Sequence, residues 1–565
     1  MNATTTADAG SSAPQLHGID PTTYRRRWWI LGVLCLSLLI VFIGNSSLNV
    51  TIPTLSRDLG ATESQLQWVI AIYSLVFAGL LFSTGAIGDR FGRKGALQVG
   101  LVLFLGACVA ASFTTSMGQL IAARAVMGVG AALIMPSTLS ILVNVFPPEE
   151  RTRAIAIWAG VSGAAGSIGQ VASGWILNHW YFGAVFLVNV PFVVLALVAG
   201  ALLLPKSRDP EEGKLDPLGA VLSIVGIGAL VFALIEAPDH GWGSATTLVS
   251  ILVGVVALTA FVLWERHVDE PMLDMAFFKD GAFSTGTAGM ILVFMAMYGV
   301  MFLLTQYFQL ILGYTALDTA MRFLPMAPIM IIVAPMTPKL SARFGANRTV
   351  AFGLALVAVG LFALRGLSAT TSYWYVLGSI FPLVAGIALA MSPMTAAIMS
   401  AVPSRRAGAG SAMNDASREL GAALGVAVMG SLAASSYASM VDPVASGLPA
   451  QAAEQVRASL AGALHVASQA PAELGHQIVN GANDAFISGI HLAATVSAAL
   501  ALVAAALVIK FLPRQLAHTG AEAGPVGAVE DVLQLGIAGV EPVFADVAFT
   551  RDEDLGGEPA VRNVG

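Results

Sequence analysis

The chain has 565 residues, of which 56% are hydrophobic and only 11% charged. A soluble domain carries roughly 25% charged residues, and a globular core cannot absorb so much apolar surface, so lipid is the natural solvent for this chain. The net charge of −6 reflects acids gathered in the C-terminal tail and says nothing about a nucleic-acid partner, while the two cysteines, Cys35 and Cys108, sit in apolar runs and read as small apolar side chains, not a disulfide framework or metal site.

Residues 1–24 are polar and rich in Ala, Thr and Ser, and read as a disordered leader. Arg25, Arg26 and Arg27 then precede an apolar run too long for a signal-peptide core, which predicts a retained first span. A span needs about 20 apolar residues at about 1.5 Å rise each. That rule predicts fourteen spans, at 28–52, 66–84, 96–115, 119–145, 153–177, 183–204, 217–236, 247–264, 284–312, 319–337, 350–367, 374–400, 408–436 and 485–511. The runs between them are short, apart from an amphipathic, polar stretch at 437–484 and the tail at 514–565. One set of alternate loops carries Arg90, Arg93, Lys94, Arg151, Arg153, Lys206, Arg208, Lys214, Arg266, Lys279, Lys339, Arg343, Arg348, Arg405 and Arg406. The other set holds almost no basic residue beyond Arg57 and Arg457. Excess Lys and Arg marks the cytoplasmic side. Both termini are therefore expected in the cytoplasm, with 437–484 outside.

Polar residues inside the spans are the candidates for function. Asn45 and Asn49 keep the first span polar without charge. After the second span comes Gly85-Ala86-Ile87-Gly88-Asp89-Arg90-Phe91-Gly92-Arg93-Lys94. Its glycines permit a tight turn, and Asp89 can pair with an arginine or with backbone N–H groups of a neighbouring helix. The plainer alternative is a generic basic loop. Arg124 lies near one end of the fourth span. An arginine facing lipid costs at least about 2.5–3.5 kcal/mol at the centre, so Arg124 is expected to face the bundle, with snorkelling the alternative. Segments Gly128–Ala132 and Gly160–Gly174 read as small-residue helix contacts. The former is not a nucleotide loop, because no strand precedes it and no P-loop lysine follows.

In the ninth span, Thr305-Gln306-Tyr307-Phe308-Gln309 could line a cavity or simply pack. Pro325, Pro328, Pro335 and Pro338 predict a kinked gating helix in the tenth. The thirteenth span opens with Asn414, Asp415, Arg418 and Glu419, a charged stripe at helical spacing on a small-residue helix. A carboxylate in a partly dry cavity can load and release a proton; the alternative is an interfacial cluster that only orients the helix. Glu236 and Asp318 sit at the outer ends of their spans, where water would keep them ionised. His491 reads as a buried, hydrogen-bonded side chain. No nucleophile–base constellation and no metal-ligand cluster appears, so neither an enzyme nor a metal site is expected.

The Gly85–Lys94 run resembles the signature loop G-x-x-x-D-R-x-G-R-[RK] of the major facilitator superfamily, and it falls between the second and third spans as that family requires. Leu120–Ala132, with Arg124 followed by small residues, is similar to the family's second motif, and the resemblance implies a part in proton coupling for Arg124. Gly169-Gln170-Val171-Ala172-Ser173-Gly174 resembles the antiporter motif, with Gln170 in place of the usual proline and Ser173 in place of a glycine. Ile72–Gly79 and Trp180–Pro191 resemble the QacA-type multidrug exporters of the fourteen-helix drug:proton antiporter branch. The resemblance covers roughly residues 28 to 512. Two acids common in that branch are missing, with Gly44 nine residues before Pro53 and Ala71 just before Ile72-Tyr73-Ser74-Leu75. Their loss argues against a strongly cation-selective cavity.

The resemblance implies an all-α membrane fold of two six-helix bundles, 25–204 and 281–513, with a two-helix insert and linkers at 205–280. The expected function is proton-driven export of small amphipathic compounds across the cytoplasmic membrane, by a monomer that needs no cofactor beyond the proton gradient. Export of an endogenous metabolite or lipid-like molecule is the alternative; a non-transporting membrane partner or sensor is a further one. Asp415 is the chief expected coupling carboxylate, with Arg124, Glu419 and Arg418 beside it. Asn45, Asn49, Tyr73, Gln306, Tyr307 and Asn414 are the candidate cavity residues.

Overall fold

Apolar helices in lipid must satisfy every backbone polar group internally, and this chain does so with helices alone among the described residues. The structure, a computed structural model, describes residues 19–205, 216–403 and 407–515. Fourteen helices among them are long and apolar enough to cross a membrane. Spans 1 to 6 are Pro21–Leu59, Glu63–Phe91, Arg93–Ser112, Met117–Val145, Arg153–His179 and Ala184–Leu203. Spans 7 and 8 are Pro217–His240 and Ala245–Glu265. Spans 9 to 14 are Gly281–Ile311, Ala316–Phe344, Ala346–Gly366, Tyr373–Ser400, Ala409–Ala445 and Ala472–Phe511.

The polarity of the surface is what a bilayer demands. Leu252, Val253, Val256 and Leu263 of span 8 all point outward. Several hydroxyls buried in the spans fold back onto their own helix, as Ser37 does to Val33 O (2.9 Å) and Thr305 to Met301 O (2.8 Å). Small residues set the helix contacts. Spans 3 and 4 meet where Gly100 faces the Gly130 carbonyl, and spans 11 and 12 meet where Gly353 faces the Gly386 carbonyl. The same device thus recurs in the first six spans and the last six.

Three expectations need correction. The stretch 437–484 is mostly helical: span 13 runs on to Ala445, span 14 begins at Ala472, and short helices Ala450–Ala458 and Leu460–Gln469 lie between. Its amphipathic pattern is that of helices buried on one side. Tyr437 anchors them by donating to Val456 O (2.8 Å). The leader ends earlier than 24, because Asp20 accepts from the N–H groups of Thr22 and Thr23 (both 3.1 Å) and starts the first helix at Pro21. The motif after span 2 is not an open loop. Span 2 continues through Gly85 and Gly88 to Phe91, and only Gly92, at φ 111°, turns the chain into span 3. Span 10 is broken as its prolines predict, into Ala316–Phe323, Met326–Val333, a 3-10 turn and Thr337–Phe344. The end of span 9, however, is a π-helix at Tyr307–Ile311, which the sequence reading missed. Lys206, Arg208, Lys214, Arg405, Arg406 and the tail from 516 onward lie outside the described residues.

Candidate functional site

Arg124 settles the first question of the site. It is 0% exposed and faces the bundle, so it does not snorkel. Its Nε donates to Val69 O and its Nη1 to Gly44 O, both at 3.1 Å. Its guanidinium carbon lies 4.2 Å from the centroid of the Tyr73 ring. Gly44 therefore has a role that an aspartate would change. Its bare backbone supplies an acceptor, and a Cβ there would come within 2.8 Å of Phe104 and 3.4 Å of Met127. Arg124 Nη2 is buried without an acceptor, and the Tyr73 hydroxyl is buried without a partner.

Glu419 of span 13 reaches this group from the other half of the molecule. It faces Ser74 on span 2 and lies within electrostatic reach of Arg124, Arg418 and Asp415. Glu419 Oε2 is buried and lacks a donor. Two halves of the protein thus each present an unsatisfied buried polar atom to one small region. Such atoms are costly unless another state or a ligand satisfies them. Asp415 stands one turn away. Its side chain keeps 19% of its surface exposed, and its Oδ1 lies 3.7 Å from Arg418 Nη1. Arg418 also sits 5.0 Å from the Phe294 ring centroid. The stripe Asp415–Arg418–Glu419 is therefore real, and Glu419 is its member that meets the other bundle.

The candidate cavity residues do not form one lining. Tyr73 packs beside Arg124. Asn414 accepts from the Thr395 hydroxyl (3.0 Å), inside the second bundle. Tyr307 donates to Ser368 O (2.7 Å). Gln306 donates to Glu63 Oε1 (2.9 Å), joining span 9 to the start of span 2. Asn45 and Asn49 are buried in span 1.

At the end of the molecule bearing Gly92, Asp89 accepts from Arg93 Nε (2.7 Å) across the turn between spans 2 and 3, an arginine pairing of the kind expected. This partner lies within the motif, one helical turn on. Gly88 allows span 2 to approach span 4, since a Cβ there would meet Ser137 Oγ at 3.4 Å. Lys94 caps span 6 by donating to Ala201 O (2.7 Å) and Leu204 O (2.8 Å). Arg27 grips Glu150 through two bonds of 2.6 and 2.9 Å. That guanidinium holds the Glu150 carboxyl below the usual carboxylate range. Neither the Lys94 cap nor the Arg27–Glu150 pair was foreseen.

At the opposite end the two halves touch. Gly169 lets span 5 pack on Ile43 and Ser46 of span 1, and Gly174 lets it pack on span 10, where a Cβ would lie 2.8 Å from Ala316 O and Leu317 Cα. Gln170 sits between these contacts, half-buried. Gln309 donates to Val50 O (2.9 Å). The antiporter-like stretch is thus a close-packing face, toward span 1 of its own half at Gly169 and toward span 10 of the other half at Gly174. Of the two acids here, Asp318 is exposed, as expected, and Glu236 is half-buried. Glu236 accepts from Trp68 Nε1 (2.8 Å). Asp318 caps its own helix through the Thr315 hydroxyl (2.9 Å). His491 bonds to Leu367 O (3.0 Å) as expected.

The sequence profile of the Major Facilitator Superfamily matches residues 34–426. The multidrug efflux pump LfrA of Mycolicibacterium smegmatis is 35% identical over 492 residues, spanning 86% of this chain and 97% of that protein. The tetracenomycin C resistance and export protein of Streptomyces glaucescens is 32% identical over 496 residues, spanning 86% and 91%. The methyl viologen resistance protein SmvA of Salmonella typhimurium is 32% identical over 463 residues, spanning 82% and 93%. Among solved structures, a bacterial homologue of the human lysosomal transporter Spinster, inward-facing and unoccupied, superposes with a TM-score of 0.60 at 17% identity, covering 87% of this chain and 99% of that one. That likeness supports the fold. With fourteen spans, the motif at the span 2–3 turn and a buried intramembrane arginine in place, the chain belongs to the major facilitator superfamily of membrane transporters.

Proposed function

We propose that the protein exports small amphipathic compounds across the cell membrane by exchange with protons. The observation that carries this reading is that Arg124 and Glu419, one from each half, lie within electrostatic reach of each other, each with a buried polar atom left unsatisfied. Proton loading at such a seam changes the balance between two arrangements of the halves, and a ligand can shift that balance only by its differential affinity. Asp415, Arg418, Glu419 and Arg124 form the coupling group in this proposal. The named activities of the relatives, multidrug efflux and resistance to tetracenomycin C and methyl viologen, support a drug-like substrate class. The Gly92 end is the cytoplasmic one on the evidence of its basic residues, both termini lie there, and the end closed by Gly174 and Gln309 is the outer gate. The proton gradient serves in place of a cofactor, and a monomer suffices.

Export of a neutral endogenous metabolite or lipid-like molecule is a second reading. Gly44 and Ala71, buried where the branch commonly has acids, favour it. Dye efflux from proteoliposomes carrying an imposed pH gradient tests both. Asp415→Asn and Glu419→Gln are each expected to abolish uphill efflux while sparing downhill exchange. Uphill efflux by both variants at the wild-type rate would place coupling elsewhere. Failure of every cationic and amphipathic dye, with a neutral lipid-like probe transported, would favour the second reading.

A further inference from the structure

The inserted spans hold a pair of acids that the transport reading leaves unused. Asp216 caps the start of span 7, and Glu265 closes span 8. They are 8% and 2% exposed. One oxygen of each is fully engaged. Asp216 Oδ1 accepts from Gly219 N (2.8 Å) and Trp264 Nε1 (2.9 Å). Glu265 Oε2 accepts from Leu273 N (3.0 Å), with the Met272 N–H alongside. The other two oxygens, Asp216 Oδ2 and Glu265 Oε1, are buried and have no donor. They face one another over Gly219, where a side chain would strike both. The absence of a Cβ at Gly219 is what leaves them room to meet.

Two carboxylates so placed cannot both stay charged without a cation. The groups acting on Glu265 are Asp216, Leu273 and Met272, and no cation stands among them in the described residues. Arg266 and His267, the next residues, are exposed, as are Asp269 and Glu270. Asp274 turns to cap its own loop at Ala276 N (2.9 Å). A single proton resolves the conflict. It removes one charge and turns two orphan acceptors into one short, charge-assisted hydrogen bond. We propose that Asp216 and Glu265 form a proton-binding site, separate from the Arg124–Glu419 seam, in which one proton is shared between Oδ2 and Oε1.

The site ties the insert to its neighbours. Glu265 holds the linker at Leu273, and Leu273 and Phe277 pack with Phe283, Ile398 and Met413 of the second half. Withdrawing the proton at high pH sets two negative charges against each other and loosens the insert from that half.

Infrared difference spectra of the purified full-length protein, wild type minus variant at about pH 7, test the idea. Both E265Q and D216N should lack a protonated-carboxyl band that the wild type has. In each, the new amide donates to the remaining carboxylate, so the fold is kept and the proton is no longer needed. A band missing from neither variant, or missing from E265Q alone, overturns sharing. Thermal unfolding gives a second readout. The wild type should lose several degrees more than E265Q between about pH 6 and about pH 8.5. Equal slopes count against the proposal. Stabilisation of the wild type, but not E265Q, by sodium or magnesium chloride over choline chloride would assign the site to a metal cation instead.

Discussion

Arg124 could be recognised in the sequence as an arginine too costly to face lipid, but not its acceptors, because Val69 O and Gly44 O are backbone atoms 55 and 80 residues away. The same limit applies to Glu419. Spacing placed it beside Asp415, and only the packing of span 13 on span 2 shows that it faces Ser74. Two predictions belong at this scale. Asp89→Asn keeps an acceptor for Arg93 but removes the charge of the pair, and should cut transport by about 10-fold or more, with insertion and expression unchanged. Transport assays beside surface-expression blots check this. Glu150→Gln removes the two-point bond to Arg27. Because the folded carboxyl lies below its ordinary range, this contribution is present at neutral pH and lost as pH falls through the folded value. The pair is about a third exposed on the Glu150 side, so the loss should be only about 0.5–1 kcal/mol. Melting curves of wild type and variant should converge at acid pH.

Helix existence was plain in hydropathy, while helix ends and breaks depended on local chemistry. The prolines of span 10 announced its breaks. The π-helix at Tyr307–Ile311 carries no such mark, and it depends on tertiary packing that includes the Tyr307 bond to Ser368 O. The 437–484 stretch misled by its polarity, although its apolar residues recur at helical spacing. Gly174 gives an element-scale prediction. Leucine there would collide with the backbone of span 10 and should cost the closed arrangement of that end about 1–3 kcal/mol. The population would shift about 5- to 150-fold toward the arrangement open at that end. Accessibility of a cysteine placed at buried Ser173 should rise, and transport should fall.

Topology is the property of the whole molecule that composition and charge placement address. Fourteen spans, an even number, return the end of span 14 to the side where span 1 begins, and Ala346 N donates to Arg514 O (2.9 Å) at that end. A cysteine at exposed Ala450, with Cys35 and Cys108 replaced by alanine, should react with an impermeant reagent on intact cells. A cysteine at exposed Lys279 should react only after permeabilisation. The reverse pattern would invert the topology. Sequence by itself determined that the chain lives in lipid, how many times it crosses and which loops share a side, because hydrophobic length and charge are summed along the chain and need no partner. Tertiary structure alone decided that Arg124 is buried against Tyr73, that Glu419 meets the other half, that the halves touch at the Gly174 end and that Asp216 and Glu265 confront each other. Each of these depends on atoms far apart in the chain, brought together wherever small residues let helices approach.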